Sequence, residues 1–263
     1  MSLNILRKIL PVALKQYMKQ LLGLPMARIH PDWCILEKIG PIQTEHTVLD
    51  VGARNGWFFQ CWQKWCPLMK VYAFEPDVAA YQRLTERFKL DTKVILSDYG
   101  IGAKESSETF YHLSESEVSS SFLPHDSKVW DEIKYQTGDV DKRQVKVTTL
   151  DLYAQKNAIQ DIYLIKMDIQ GYELKALEGS VNVLKNTSYV LVESAIQPLY
   201  EGAATFGQVH EFMQKNNFHL IDFRSWHQGN NKLIEADLLF RHDDLLPEVS
   251  DPDAPRHYVG SAI

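Results

Sequence analysis

Short β-branched runs alternate with stretches of helical length through the middle of this chain, and this alternation restricts its fold more than any other feature. Strands are predicted at 47–51, 71–74, 93–96, 162–167 and 189–192. Helices are predicted between them, near residues 57–65, 78–88, 173–183 and 206–215. Strands joined through helices pair in parallel, and the helices then cover the sheet. The pattern therefore predicts one α/β domain on a mostly parallel sheet.

Two further apolar runs, at 218–223 and 233–240, follow the last predicted helix. They flank Gly229-Asn230-Asn231, and a short turn of glycine and asparagine between two strands is typical of a hairpin. A hairpin that closes a parallel sheet contributes one strand that runs antiparallel to the others.

Composition limits the classes of function. The chain has 263 residues, with 45% hydrophobic and 24% charged residues, which suits one α/β domain with terminal extensions. Its net charge of −6 argues against a nucleic-acid partner, because such binders usually present a basic face. Its three cysteines, Cys34, Cys61 and Cys66, lack the further Cys or His residues of a zinc site. We interpret them as free thiols of a cytoplasmic protein.

The two ends of the chain differ from its middle. Residues 1–45 predict a basic, amphipathic helical extension, in which charges interrupt every apolar run before the roughly 20 residues of a membrane span. Its apolar face is expected to pack on the chain's own domain or on a homodimer partner, and contact with an anionic membrane surface is the alternative. No secretion signal is expected. Residues 243–263 predict an extended acidic tail.

A long polar stretch lies at residues 113–144. Long connections within compact domains often close over a binding site, which makes this stretch a candidate lid. The alternative is an insertion that only covers the edge of the sheet.

The strongest local signal is a glycine turn after the first strand. The strand ends at Asp50, and Gly52 and Gly56 follow at the entry to a helix, with Ala53 and Asn55 between them. Glycine lets the backbone approach a ligand closely, and a helix N-terminus favours an anion. The pattern D-x-G-x-x-x-G lacks the middle glycine that makes room for pyrophosphate in a dinucleotide fingerprint. A smaller anion, such as the carboxylate of a methionine moiety, fits better.

Acidic residues follow the second and third strands. Glu75 ends the second strand before Pro76, and a carboxylate in that place accepts hydrogen bonds from both hydroxyls of a ribose. Asp98 follows the third strand and is expected to accept a hydrogen bond from an adenine amino group, unless it is a plain turn residue.

A charged block, K-M-D-I-Q-G-Y-E, begins at Lys166 near the end of the fourth strand. Ligands of open α/β sheets lie beyond the carboxyl ends of the strands, so Asp168 is expected to face the same crevice as Asp50. A lysine within an apolar strand is costly unless it is paired. We expect Lys166 to pair with Asp168 or Glu173, and the alternative is that it extends to solvent.

Together these blocks resemble the FkbM-type family of S-adenosylmethionine-dependent methyltransferases over about residues 48–240. The resemblance rests on D-V-G-A from Asp50, A-F-E-P from Ala73, T-L-D from Thr149, the block from Lys166, and Val192-Glu193. One departure is Arg54, where the family usually has asparagine, which this chain carries one place later.

The resemblance implies a Rossmann-like methyltransferase fold in a domain at 46–242. This fold has a seven-stranded, mostly parallel sheet with one antiparallel strand and helices on both faces. It also implies S-adenosylmethionine as the donor and O-methylation of a hydroxyl on a sugar, glycan or secondary metabolite. The residues expected to contact the donor are Asp50, Gly52, Ala53, Asn55, Gly56, Glu75, Pro76 and Asp98.

Methyl transfer to a neutral hydroxyl usually needs a group that takes its proton. Asp168 is the predicted base, or the acceptor that orients the hydroxyl, and Glu193 is the second candidate. If the two residues end neighbouring strands, which lie roughly 4.8 Å apart, they can share one site. No third oxygen ligand accompanies them, so no metal is expected.

Two other functions remain open from the residues alone. An NAD-type oxidoreductase shares the strand, the glycine turn and Glu75. A non-catalytic nucleoside-binding module shares Gly52 and Glu75 and has no need for Asp168.

Overall fold

The computed structural model describes residues 39, 44–63, 66–114, 116, 119–133, 138–229 and 232–245. Nearly all of the N-terminal extension and of the C-terminal tail lies outside these residues. The predictions of a basic amphipathic helix, of its partner and of an acidic tail therefore stay predictions, as do the domain boundaries.

A seven-stranded sheet forms the centre of the domain. Its strands are β1 (Thr47–Val51), β2 (Lys70–Phe74), β3 (Val94–Ser97), β7 (Ile162–Met167), β8 (Thr187–Ala195), β9 (Phe218–Gly229) and β10 (Lys232–His242). Their order is β3-β2-β1-β7-β8-β10-β9, and only β10 runs antiparallel to its two neighbours. The predicted mostly parallel sheet with one antiparallel strand is confirmed, and all seven predicted strands are present.

Seven helices are described. They are α1 (Trp57–Gln63), α2 (Val78–Phe88), α3 (Ser127–Ile133), α4 (Leu150–Lys156), α5 (Glu173–Glu178), α6 (Val181–Leu184) and α7 (Phe206–Lys215). Among the described helices, none combines the length and the apolar character that a bilayer crossing requires.

The sheet separates two apolar cores, because alternate residues of a strand point to opposite faces. One core holds Leu49, Ile165 and Val190 and receives side chains from α4, α5, α6 and α7. The other holds Val48, Leu164 and Leu191 and receives side chains from α1 and α2. Strands buried on both faces explain why the sequence shows continuous apolar runs. By the same alternation, Asp50 and Lys166 lie on the α1 side, two residues beyond Val48 and Leu164.

The single helix predicted at 173–183 is two short helices, α5 and α6, with Gly179 between them. A Cβ atom on Gly179 would lie 2.1 Å from the carbonyl oxygen of Gly102, so only glycine permits this contact. The chain turns here because its backbone packs directly on another backbone, which hydrophobic periodicity does not reveal.

A second, three-stranded sheet between β3 and β7 was not predicted. Its strands are β4 (Gly100–Ile101), β5 (Ser106–Leu113) and β6 (Val140–Thr148), in the order β4-β6-β5. Much of this sheet is exposed, so β5 and β6 read as polar sequence. Its buried side packs Phe110, Val145 and Val147 against Phe122 and Tyr172.

The predicted long loop at 113–144 begins at the last residue of β5 and ends within β6. Its described part contains α3, whose Trp130 is buried and donates its indole hydrogen to the Leu199 carbonyl at 2.7 Å. Asp126 and Glu201 also join the two segments through backbone hydrogen bonds. This part of the stretch is therefore packed against residues 199–201.

Candidate functional site

The acidic residues selected from the sequence lie at the carboxyl ends of four neighbouring strands. Asp50 is in β1, Glu75 follows β2, Asp168 follows β7 and Glu193 is in β8. The sheet register sets Asp50 opposite Lys166, and the backbone N–H of Asp168 donates to the Val51 carbonyl at 3.1 Å. The fold thus brings these carboxylates to one edge of the sheet.

The glycine turn joins β1 to β2 through its own backbone. The N–H groups of Gly52 and Ala53 both donate to the Phe74 carbonyl at 3.0 Å, and that of Gly56 donates to the Ala53 carbonyl at 2.7 Å. Asn55 accepts a hydrogen bond from the Trp57 N–H at the start of α1. Several donors that the sequence suggested for an anion are therefore engaged by the protein itself.

Gly52 lies where two backbones meet. Its φ angle is +82°, and a Cβ atom there would lie 2.0 Å from the Asp168 carbonyl oxygen. Gly56 has φ +70°, and a Cβ there would overlap the rings of Phe59 and Phe88. Gly52 thus permits contact between the glycine turn and the segment that follows β7, and Gly56 permits packing of α1 on α2.

Arg54 adopts φ +49°, a left-handed conformation that asparagine tolerates better than arginine does. Its backbone N–H donates to Glu75 Oε2 at 2.6 Å. The asparagine usual in the family at this place is thus explained by the backbone, and the arginine carries conformational strain.

Arg54→Asn is expected to stabilise the protein by up to about 1 kcal/mol, or roughly 2–4 °C in Tm, because it relieves this strain. Thermal unfolding without any ligand measures the effect. Arg54→Ala removes the same guanidinium but keeps a side chain unsuited to positive φ, so it should bring no gain. A lower Tm for the asparagine variant would contradict the explanation.

Glu75 is buried, and each of its carboxyl oxygens accepts one backbone hydrogen bond. Oε2 accepts from Arg54 and Oε1 accepts from Asp77 at 2.8 Å. Burial raises the pKa of Glu75 to about 7, although the two hydrogen bonds and Lys166 act in the opposite direction. Pro76, next in the chain, is half-buried.

Asp77 connects Glu75 to the small sheet. Its Oδ1 caps α2 by accepting from the Ala80 N–H, and its Oδ2 lies 2.8 Å from Arg143 Nη1 and 2.9 Å from His112 Nδ1. Because His112 is in β5 and Arg143 is in β6, these contacts attach the small sheet beside the carboxyl end of β2.

Asp98 is exposed after β3. It lines a cavity of about 510 Å³ at the outer edge of that strand, together with Tyr81, Tyr99 and Tyr153. The Glu75 N–H donates to the Ser97 carbonyl at 3.0 Å, so the two acidic residues follow adjacent strand ends.

Lys166 is buried and surrounded by acceptors. Its Nζ lies 3.4 Å from Asp50 Oδ1 and 3.5 Å from Asp168 Oδ2, and it donates to the Gly52 carbonyl at 3.2 Å. The predicted pairing with Asp168 is therefore present, and Asp50 joins it. The ammonium group offsets the charge of both carboxylates and links the glycine turn to the end of β7.

Asp168 and Glu193 form a pair bridged by an amide. Gln170 Nε2 donates to Asp168 Oδ1 at 3.1 Å and to Glu193 Oε2 at 2.8 Å. The Asp168 side chain is 41% exposed, so it remains accessible from outside. Gln170 Oε1 in turn accepts from the Tyr200 hydroxyl at 2.7 Å. The sequence placed Gln170 in the charged block but indicated neither its role nor its contact with Tyr200.

The two carboxyl groups of this pair differ in proton affinity. Desolvation favours the neutral form of Asp168, but the charge of Lys166 and the hydrogen bonds from Gln170, from Glu193 and from Lys166 outweigh it and lower the pKa of Asp168. Desolvation, and then the charges of Asp168, Glu235 and Asp237, raise the pKa of Glu193 well above its ordinary value. Asp168 therefore loses its proton at lower pH than Glu193 does.

Glu173 holds the turn after β7. Its Oε1 accepts from the N–H groups of Ile169 at 2.9 Å and Gly171 at 3.2 Å. Burial raises the pKa of Glu173 to about 8, against the effect of these hydrogen bonds. Within the part of the chain that the structure describes, no group of three or more His, Cys, Asp or Glu residues is arranged to hold a metal ion.

Comparison with solved structures finds methyltransferases. The N-methyltransferase NodS from Bradyrhizobium japonicum WM9 is 10% identical, with a TM-score of 0.46 over 80% of this chain and 92% of that one. A SAM-dependent methyltransferase from Aquifex aeolicus is 15% identical, with a TM-score of 0.44 over 80% of this chain and 88% of that one. Sequence identities and TM-scores this low do not support a conclusion about activity.

Sequence comparison is more informative. The hexuronic acid methyltransferase AglP from Haloferax volcanii is 28% identical over 124 residues, which are 47% of this chain and 46% of AglP. The match thus spans about half the length of this curated relative. The profile of the Methyltransferase FkbM domain matches residues 50–220, more than half of the chain. The chain therefore belongs to the FkbM family of methyltransferases and uses S-adenosylmethionine as its methyl donor, as the resemblance implied.

Proposed function

We propose that this methyltransferase acts on a hydroxyl group of a sugar or glycan, and that Asp168 and Glu193 receive the proton of that hydroxyl. The observation that carries the proposal is the pair itself, an accessible carboxyl group that is hydrogen-bonded through Gln170 to a second carboxyl group. The match to a hexuronic acid methyltransferase supports a sugar as the acceptor.

The residues at the strand ends suit the donor. Each Glu75 oxygen accepts one backbone hydrogen bond and keeps a second lone pair, so the carboxylate can also accept from two ribose hydroxyls. The turn of Asp50, Gly52, Ala53, Asn55 and Gly56 would border the amino-acid end, Pro76 would border the ribose, and Asp98 would contact the adenine. Methyl transfer is favoured over the two alternatives, because the turn lacks the middle glycine of a dinucleotide site and a non-catalytic module has no need for Asp168.

S-Adenosylmethionine supplies an electrophilic methyl group on a positively charged sulfonium. In the transfer, the acceptor oxygen forms a bond to the methyl carbon, the carbon–sulfur bond breaks, and its electron pair remains on sulfur. Asp168 would orient the hydroxyl by accepting its hydrogen bond, and the proton would pass to the carboxylate pair. Lys166 keeps Asp168 ionised, which suits an acceptor of hydrogen bonds more than a strong base.

The pKa of Glu75 gives this proposal a pH dependence. Ribose hydroxyls donate to the ionised carboxylate, so donor binding should lower the pKa of Glu75 from about 7 and release a proton. Below that pKa the affinity for S-adenosylhomocysteine should weaken by up to about tenfold for each pH unit. Calorimetry at pH 6 and pH 8, in buffers of different ionisation enthalpy, measures both affinity and proton release. Glu75→Gln should bind more weakly and without this pH dependence. If the wild type bound S-adenosylhomocysteine equally well at pH 6 and pH 8, Glu75 would be excluded as the ribose ligand.

The test of the acceptor uses labelled S-adenosylmethionine with two sets of probes, neutral methyl hexosides and methyl hexuronides. The products are then treated with mild alkali, which cleaves a methyl ester but leaves a methyl ether. We expect an alkali-stable label, because a hydroxyl acceptor gives an ether. Label that is lost in alkali would mean that a carboxylate is methylated. A carboxylate needs no proton acceptor, so that result would remove the proposed role of the pair.

A further inference from the structure

Gln170 occupies a central place between the two candidate catalytic carboxylates. An amide nitrogen carries two hydrogens, and Gln170 Nε2 directs one to Asp168 and the other to Glu193. Its Oε1 accepts from the Tyr200 hydroxyl at 2.7 Å, and its backbone carbonyl accepts from Ser121 Oγ at 2.7 Å. Every polar group of the side chain therefore has a partner of matching type.

The direction of the amide is fixed by its neighbours. The Tyr200 hydroxyl also lies 2.9 Å from the Ser119 carbonyl, so its single hydrogen is directed toward two acceptors. An amide oxygen on this side leaves the NH₂ group facing the carboxylates. The reverse orientation would set the amide oxygen against the ionised Asp168, which is unfavourable.

The backbone of Gln170 is also unusual. Its φ angle is +57°, in a region that residues with a Cβ rarely occupy, and Gly171 follows with φ +92°. A residue held there costs roughly 1 kcal/mol or more and persists only when its surroundings fix it. With this backbone conformation, the amide lies between Asp168 and Glu193.

We propose that Gln170 is a positioning residue that holds Asp168 and Glu193 as one oriented pair, and that Tyr200 fixes the direction of its amide. The inference rests on the proposed function, because it assigns the pair to the acceptor side. Gln170 need not touch the reacting atoms. Through Tyr200 and Ser119 it also ties the pair to the described part of residues 113–144.

Removing the amide should change how the pair titrates. Other charges also face it, namely Lys166 from β7, Glu173 from α5, and Glu235 and Asp237 from β10. The amide hydrogen bond favours the ionised form of Asp168, so its loss should move the titration of that carboxyl to higher pH. A purely structural role would lower stability and leave this titration unchanged.

The test compares Gln170→Met, which keeps the length of the side chain, with Tyr200→Phe and with Gln144→Met. Gln144 is an exposed glutamine of the small sheet, so it provides the same substitution away from the site. Carboxyl titrations by ¹³C NMR, assigned with Asp168→Asn and Glu193→Gln, need no acceptor. Calorimetry with S-adenosylhomocysteine reports on the donor site in the same proteins.

We expect Gln170→Met to bind S-adenosylhomocysteine within about threefold of the wild type, because the amide lies outside the donor contacts. Its Asp168 carboxyl should titrate at higher pH, and its methyl transfer should slow by about 10-fold as the pair loses its orientation. Tyr200→Phe should change both properties in the same direction by less, and Gln144→Met should change neither.

An unchanged Asp168 titration in Gln170→Met, or the same shift in Gln144→Met, would overturn the inference. If Gln170→Met does not fold, the milder Tyr200→Phe takes its place in the same measurement, and an unchanged titration there would overturn the inference equally. Full methyl transfer by Asp168→Asn would instead remove the proposed function, while the titrations would still show whether Gln170 orients the pair.

Discussion

Gly52→Val is expected to abolish binding of S-adenosylhomocysteine and to destabilise the protein by about 3 kcal/mol or more. From the sequence, glycine is expected here because it lets the backbone approach a ligand closely. The structure gives a different reason, because a Cβ on Gly52 would lie 2.0 Å from the Asp168 carbonyl oxygen. Valine must therefore separate the glycine turn from the end of β7, and Lys166 contacts both. Calorimetry and urea unfolding measure the two effects.

The matched control is Gly202→Val. Gly202 has φ +79°, close to the +82° of Gly52, but a Cβ there would meet no atom within 4 Å. It should therefore show only the cost of positive φ, about 1–2 kcal/mol, and should retain S-adenosylhomocysteine binding. If Gly52→Val is too unstable to study, Gly52→Ala carries the same Cβ and should also fail to bind. Tight binding by either Gly52 variant would contradict the assignment of the turn.

Asp168→Asn is expected to slow methyl transfer by roughly 100-fold or more while binding of S-adenosylhomocysteine is retained. Asparagine keeps the shape of the side chain but loses the charge that orients the acceptor hydroxyl and takes part in accepting its proton. Lys166 would still have Asp50 as a partner at 3.4 Å, so the fold should survive. Single-turnover measurements separate the slower chemical step from any change in binding.

The comparison for this variant is Asp161→Asn. Asp161 is exposed just before β7, at the opposite end of the strand from Asp168, and its φ of +52° suits asparagine. The substitution removes the same charge from the same element, so the rate should not change. A wild-type rate in Asp168→Asn would exclude this residue from the mechanism, and Glu193→Gln would then be the variant to measure.

The central sheet was predictable because its strands are buried on both faces. Leu49, Ile165 and Val190 serve one core while their neighbours serve the other, so each strand is a compact apolar run. Polar residues are confined to the ends of such strands, so Asp50, Glu75 and Asp168 could be recognised in the sequence as candidate site residues. Parallel pairing then requires that these ends share one edge of the sheet.

Other parts of the site were not predictable from the sequence because they depend on contacts between distant segments. The strands β5 and β6 are partly exposed and alternate weakly, so neither was predicted, and the first part of β6 fell within the polar stretch at 113–144. The bridge from Gln170 to Glu193 joins residues of different strands, and Tyr200 enters from a loop. The engagement of Gly52 and Ala53 with the Phe74 carbonyl likewise depends on the pairing of β1 with β2.

The contact between Gly102 and Gly179 has a consequence for protein engineering. Gly102 follows β4 of the small sheet and Gly179 lies between α5 and α6, and neither position leaves room for a methyl group. A small sheet transplanted from a relative will pack correctly only if the recipient also has glycine between α5 and α6. Chimeras that exchange the small sheet should therefore carry both glycines as one unit.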